Sequence, residues 1–103
     1  MVTHHLIGIG GAGMSVVAEL LAARGHVVQG SDAKRSEVLA RLEEQGIRTF
    51  VGHDASHVGP GMVVVVSTAV PPDNVEVTTA RSRGVPVVPR AVMLAELMRL
   101  KDG

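Results

Sequence analysis

The chain has no cysteine, which excludes disulfides, thiolate zinc centres and a cysteine nucleophile together. It has no tryptophan or tyrosine and a single phenylalanine, so the aromatic platforms on which single-stranded bases stack are missing. Charge of one sign is missing too: ten Lys and Arg face ten Asp and Glu, and no net field draws nucleic acid or an anionic membrane. Apolar runs are broken by Gly, Glu or Ser well short of the roughly 18 residues of a spanning helix, and no basic stretch with a following apolar segment opens the chain. These absences predict a soluble, cytoplasmic protein with no nucleic-acid or membrane partner.

Apolar material for one core is nevertheless present. The 103 residues are 46% apolar and 19% charged, far from the composition of a disordered chain. That length suits one domain.

A junction recurs along the chain in which a helix-like stretch ends in glycine and a β-branched run follows. The copies are Arg24-Gly25-His26-Val27-Val28, Gln45-Gly46-Ile47-Arg48-Thr49 and Arg83-Gly84-Val85-Pro86-Val87. Glycine just past a helix adopts the left-handed conformation that closes the last turn. Before the first junction, Met14, Val17, Ala18 and Leu21 fall at i, i+3, i+4 and i+7, one buried helical stripe. Val38, Leu39 and Leu42 form a shorter stripe among charged neighbours, and Leu94, Leu97 and Met98 mark a last helix over Ala91 to Leu100.

Strands are predicted at Leu6 to Ile9, Val27 to Gln29, Ile47 to Val51, Met62 to Val66 and Val85 to Val88. Continuous runs such as Val63-Val64-Val65-Val66 suit strands covered on both faces, as in a parallel sheet between helices. The expected fold is an α/β, three-layer, Rossmann-like domain with a five-stranded parallel sheet in the order 3-2-1-4-5. The link from Gly52 to Gly61 is short and polar for a helical crossover.

The sharpest chemical signal is Gly8-Ile9-Gly10-Gly11-Ala12-Gly13-Met14-Ser15, a Gly-x-Gly-x-x-Gly turn directly after the first strand and opening the first helix. Unpaired N–H groups at such a helix start face an anion, and the glycines allow a phosphate to approach the backbone. A β-branched residue at Gly13 is expected to impair both helix packing and that approach. Asp32, after the second strand, stands near the roughly 20-residue spacing at which an acid meets ribose hydroxyls. The plainer alternative makes the glycines a tight turn and Asp32 a turn or cap residue. Ser67 and Thr68 end the valine strand and either face the same crevice or begin a turn toward Pro71-Pro72. His53, Asp54 and His57 form the one compact group of metal-ligand types, read as a solvated loop with no metal, although His53 alone could reach the crevice. His4 and His5 precede the predicted first strand. No nucleophile elbow, carboxylate pair or Gly-x-x-x-x-Gly-Lys-Ser/Thr loop occurs, so no catalytic residue is assigned.

The run from His4 to Ser15 resembles the opening of the Mur ligase family of peptidoglycan synthesis. Further matches follow in order: Gly30-Ser31-Asp32, Gly52-His53, Ser67-Thr68-Ala69-Val70, Asp73-Asn74, Ala80-Arg81, Arg90-Ala91 and Met93 to Arg99. Val75 and Val92 depart from the family pattern. The resemblance implies the N-terminal domain, residues 1–103, of a cytoplasmic ligase that joins L-alanine to UDP-N-acetylmuramate. It implies that Gly10, Gly11, Ala12, Gly13, Met14 and Ser15 wrap the diphosphate while Asp32, His53, Ser67, Thr68 and Ala69 line the uridine side. It also implies that ATP and magnesium act on central and C-terminal domains continuing beyond a segment like Arg99 to Gly103, so that this chain binds but does not catalyse. Two rivals stand beside it: an NAD-binding domain of an oxidoreductase, and a stand-alone nucleotide-sensing module.

Overall fold

The structure, a computed structural model, describes the backbone of residues 2–102 and the side chains of residues 2–99. Five strands, β1 (Thr3–Ile7), β2 (Val27–Asp32), β3 (Arg48–Val51), β4 (Met62–Val66) and β5 (Val87–Pro89), alternate with α1 (Ala12–Ala23), α2 (Glu37–Glu44), α3 (Val75–Ser82) and α4 (Arg90–Asp102). All paired strands are parallel, in the order β3-β2-β1-β4-β5. That is the expected topology.

Each glycine junction closes its helix in the same way. Gly25, Gly46 and Gly84 have φ of 83°, 84° and 68°. The residue after each glycine then donates back to an orphan carbonyl: His26 to Leu21, Ile47 to Leu42 and Val85 to Ala80. This is the Schellman arrangement, and it moves Ile47 and Val85 out of the strands assigned to them from sequence. β3 and β5 consequently start later than expected, at Arg48 and Val87.

The first strand departs the other way, running Thr3–Ile7 instead of Leu6 to Ile9. Pairing with β2 begins at Thr3 opposite Val27, and Gly8, at φ 79°, ends the strand. His4 and His5 therefore lie within β1, both buried.

Alternation along the strands sends side chains into two cores. On one face Leu6, Val28 and Val65 pack with Met14, Val17, Ala18 and Leu21 of α1, Leu39 and Leu42 of α2, and Leu97 of α4. On the other, Ile7 and Val64 pack with Val58 and with Val77 and Ala80 of α3. A fully buried Val, Leu or Met contributes roughly 1.5–3 kcal/mol, so Met14, Val17 and Leu21 of α1 each add to the stability of this face. Met98, placed on the last helical stripe from sequence, is instead 52% exposed. The Gly52–Gly61 link crosses the second face with only a 3-10 turn, Ala55–His57, capped by the Asp54 carboxylate. Val58 anchors it in the core, and the Arg83 guanidinium donates to the Val58 carbonyl at 2.6 Å.

The glycine turn is laid over the sheet by one close approach. Gly8 and Ile9 N–H both donate to the Ser31 carbonyl, at 2.7 and 3.0 Å. A Cβ on Gly30 would lie 2.5 Å from Ile9 Cδ1 and 2.6 Å from the Leu6 carbonyl oxygen. Gly30→Ala is expected to lower the unfolding free energy by about 2–3 kcal/mol through overpacking. Gly59→Ala, where nothing lies within 4 Å, should stay within about 0.5 kcal/mol; urea unfolding of both checks the pair.

Candidate functional site

A cavity of about 500 Å³ opens at the carboxyl ends of β1, β2 and β4, where the strand order reverses. This is where ligands of open α/β sheets sit, and the volume suits a small organic molecule. Among the residues singled out from sequence, Gly11, Gly13, Met14, Asp32, His53, Ser67, Thr68 and Ala69 line it. Gly10, Ala12 and Ser15 do not; Ser15 is buried, its hydroxyl donating to the Ala12 carbonyl at 3.1 Å. Val75 and Val92, the two departures from the family pattern, lie off the cavity wall and are 41% and 50% exposed.

One end of the cavity suits an anion. Gly11 is the N-cap of α1 and supplies no side-chain cap, and the first turn holds no acid. The N–H groups of Ala12, Gly13 and Met14 precede the Ser15 N–H to Gly11 C=O bond, so they face outward at the positive end of the helix. The Arg90 guanidinium closes this end: a Cβ on Gly13 would lie 2.9 Å from its Nη1. Arg90 has no ion-pair partner among the described residues. Its place on the wall, with that of Asn74, went unread in the sequence.

Asp32, the last residue of β2, does two jobs at once. Its Oδ2 accepts from Gly10 N–H at 2.9 Å, and its side chain also lines the cavity. Ser67 is similarly both turn and wall, since its Oγ accepts from Ala69 N–H at 3.3 Å.

Behind His53 lies a polar cluster on the α3 side of the sheet. Glu76, in the first turn of α3, is fully buried. Its Oε1 accepts from His5 Nε2 at 2.8 Å and from Ser31 Oγ at 2.6 Å. Its Oε2 accepts from His57 Nδ1 at 2.6 Å and from Asp54 N–H at 3.0 Å. Burial pushes the Glu76 carboxyl up, but the hydrogen bonds from His5, Ser31, His57 and Asp54 outweigh it and hold the group at about 2. The loop reading of His57 is therefore corrected: the side chain is 13% exposed, bonded to Glu76 and stacked on Phe50 with ring centroids 3.9 Å apart. A buried carboxylate needs donors, and the link supplies them.

His5, His57 and Glu76 also place three metal-ligand atoms within 4.8 Å of one another. Their proton arrangement opposes metal binding. Gln29 Nε2 donates to the His57 carbonyl at 3.0 Å and to His5 Nδ1 at 2.9 Å. With Nδ1 an acceptor, neutral His5 carries its proton on Nε2, the atom a metal would need bare.

The comparisons with known proteins agree with this geometry. A family model described as "Mur ligase family, catalytic domain" matches residues 3–102. The chain belongs to the Mur ligase family. It is 60% identical over 99 residues to UDP-N-acetylmuramate–L-alanine ligase of Leptothrix cholodnii, covering 96% of this chain and 21% of the relative. It thus spans about a fifth of the length of the curated relatives it matches. Among solved structures, UDP-N-acetylmuramate–alanine ligase from Thermotoga maritima superposes with a TM-score of 0.90 at 34% identity, over 96% of this chain and 23% of that one. The UDP-N-acetylmuramate:L-alanyl-γ-D-glutamyl-meso-diaminopimelate ligase from Neisseria meningitides gives a TM-score of 0.84 at 29% identity, over 93% of this chain and 31% of that one.

Glu76 is the central residue of this Mur ligase domain that sequence reasoning missed. A signal existed: His5, Gln29 and Ser31 fall on one face of β1 and β2, where an apolar core was expected, and together they demand a polar partner. Because its folded pKa lies below the ordinary 4.5, Glu76 adds stability that is present above that value and is lost as pH falls toward 2. Wild-type stability, followed by urea unfolding, should drop between pH 5 and pH 2 more steeply than that of Glu76→Gln.

Proposed function

We propose that this chain is the UDP-N-acetylmuramate-binding domain of a ligase that joins L-alanine to that nucleotide. The observation that carries the reading is the cavity built between the uncapped start of α1 with Arg90 and the wall of Asp32, His53 and Ser67 to Ala69. An anionic diphosphate fits the first end and a sugar-bearing nucleoside the second. The 60% identity to a ligase named for this substrate supports it.

In this reading Gly10 to Ser15 form the diphosphate loop, with Ala12 and Gly13 offering N–H groups and Gly10 and Ser15 shaping the turn from behind. Asp32, His53, Ser67, Thr68 and Ala69 form the uridine side. Residues 1–103 would be one N-terminal domain, and the central and C-terminal parts of the relatives would complete the enzyme. This chain contains no Gly-x-x-x-x-Gly-Lys-Ser/Thr loop, so ATP and magnesium would be held by those other parts. With ATP and a nucleotide sugar as co-substrates, the reaction would run in the cytoplasm; no described helix is long and apolar enough to cross a membrane. The chain alone is expected to bind and not to catalyse.

The oxidoreductase reading rests on the same glycine loop and on Asp32, features that the uridine reading shares, and the relatives named above are ligases. An NMR titration with UDP-N-acetylmuramate, UDP and NAD decides between them. The uridine ligands should shift the amides of Gly11 to Met14 and Ser67 to Ala69 saturably, and NAD should not; preference for NAD would reverse the conclusion. Arg90→Ala should weaken UDP-N-acetylmuramate binding by about tenfold or more, as expected for loss of a charge-assisted contact. Gly13→Ala should weaken binding with little change in stability, since its new methyl meets the mobile end of Arg90 rather than backbone.

A further inference from the structure

Building on the uridine-nucleotide reading, we propose that Glu76, acting through Ser31, holds His53 in the tautomer whose Nε2 is an acceptor. The nucleoside end of the cavity then selects a ligand group that donates a hydrogen bond.

Glu76 is ionised and can only accept. Ser31 Oγ lies 2.6 Å from Glu76 Oε1, so the single hydroxyl proton of Ser31 points at the carboxylate. Ser31 Oγ is left with lone pairs alone on the side of His53, whose Nδ1 stands 2.9 Å away. His53 Nδ1 must therefore carry the proton and donate it. A neutral imidazole has one N–H, which leaves Nε2 with a bare lone pair. Nε2 has no hydrogen-bond partner among the described residues and is open to solvent, on a ring that is 25% exposed and lines the cavity.

The relay cannot easily reverse. Glu76 Oε1 also receives His5 Nε2–H, and Oε2 receives His57 Nδ1–H and Asp54 N–H. Every donor around the carboxylate points inward, so its charge and orientation are both set. Ser31 sits on β2, fully buried, and its own carbonyl is occupied by Gly8 and Ile9 N–H. Glu76 and Ser31 never reach the cavity themselves; they are positioning residues for His53.

An acceptor at this point favours a uracil imide N–H or a ribose hydroxyl and disfavours a carbonyl or phosphate oxygen. A cytosine ring, whose corresponding nitrogen is itself an acceptor, would be refused if the base is the partner. Histidine-labelled chain, with the His53 signals assigned by their loss in His53→Ala, gives the tautomer directly from the two ring ¹⁵N shifts at neutral pH. Wild type should show a pyrrole-like Nδ1 and a pyridine-like Nε2. Ser31→Ala, which removes the relay and leaves the other three donors on Glu76, should shift the ring toward a tautomer mixture. It should also reduce UDP affinity about fivefold, the scale of one net hydrogen bond. Glu76→Gln should disturb the same signals if it folds, but Ser31→Ala decides the matter without it.

The same titration with N3-methyl-UDP, 2′-deoxy-UDP and 3′-deoxy-UDP identifies the donor, because the analogue that lacks it should bind wild type and Ser31→Ala equally. A wild-type ring with Nε2–H, a doubly protonated ring, or UDP affinity unchanged by Ser31→Ala would overturn the proposal, as would a Ser31→Ala loss that persists with all three analogues. Failure of wild type to bind UDP would instead overturn the uridine reading and the selection resting on it, while the ring shifts would still report the tautomer.

Discussion

A carboxylate carried into the interior without donors costs several kcal/mol, enough to remove much of the stability of a domain this size. Glu76 is that group here, and its four donors come from β1, β2 and the link that follows β3. The four bonds therefore join α3 to three separate parts of the chain. The Gly52–Gly61 link contains no helix with an apolar stripe, so hydrophobic burial alone does not hold it across the sheet. Polar attachments hold it together with the buried Val58: His57 and Asp54 to Glu76, Gln29 to the His57 carbonyl, and Arg83 to the Val58 carbonyl. The polarity that made this segment look like a solvated loop is what fastens it down.

Ser31 connects that buried layer to the cavity above it. Its carbonyl holds the glycine turn through Gly8 and Ile9, while its hydroxyl lies between Glu76 and His53. The glycine turn at one end of the cavity and His53 on its wall are thus registered on one residue of β2. A displacement of β2 relative to α3 would move both ends of the cavity together, which gives the site a rigid length.

The features legible in the sequence are those governed by local rules. Glycine after a helix, a 3.6-residue stripe and an unbroken valine run each report their own conformation, and together they led to the observed strand order. The glycine turn was legible for the same reason, since strand, turn and helix are contiguous. The residues that were missed depend on packing between distant segments. Glu76 two positions after the Asn74 cap looks like an ordinary first-turn acid favoured by the helix dipole; only the crossover of α3 over His5 and Ser31 makes it interior. Arg90 looks like the surface start of a last helix, and only the position of β5 beside β4 swings it against Gly13. The boundaries of β1 were misplaced because His4 and His5 break the apolar pattern, although both are buried.

Electrostatics give the cavity a direction. Asp32 sits at the head of α1 with its Oδ2 on Gly10 N–H, so it uses one donor of the glycine turn and sets a negative charge beside it. An anion entering the turn is repelled from that side and attracted toward Gly13, where Arg90 waits without an ion-pair partner among the described residues. Like charges a few ångströms apart in a partly enclosed site differ from an opposite pair by several kcal/mol before screening, more than a neutral hydrogen bond contributes. Under the proposed uridine-nucleotide reading, a diphosphate would therefore be driven to the Arg90 end, and the nucleoside attached to it would run toward Asp32 and His53. The charge pair across the turn, and not the glycines alone, would set which way such a nucleotide lies.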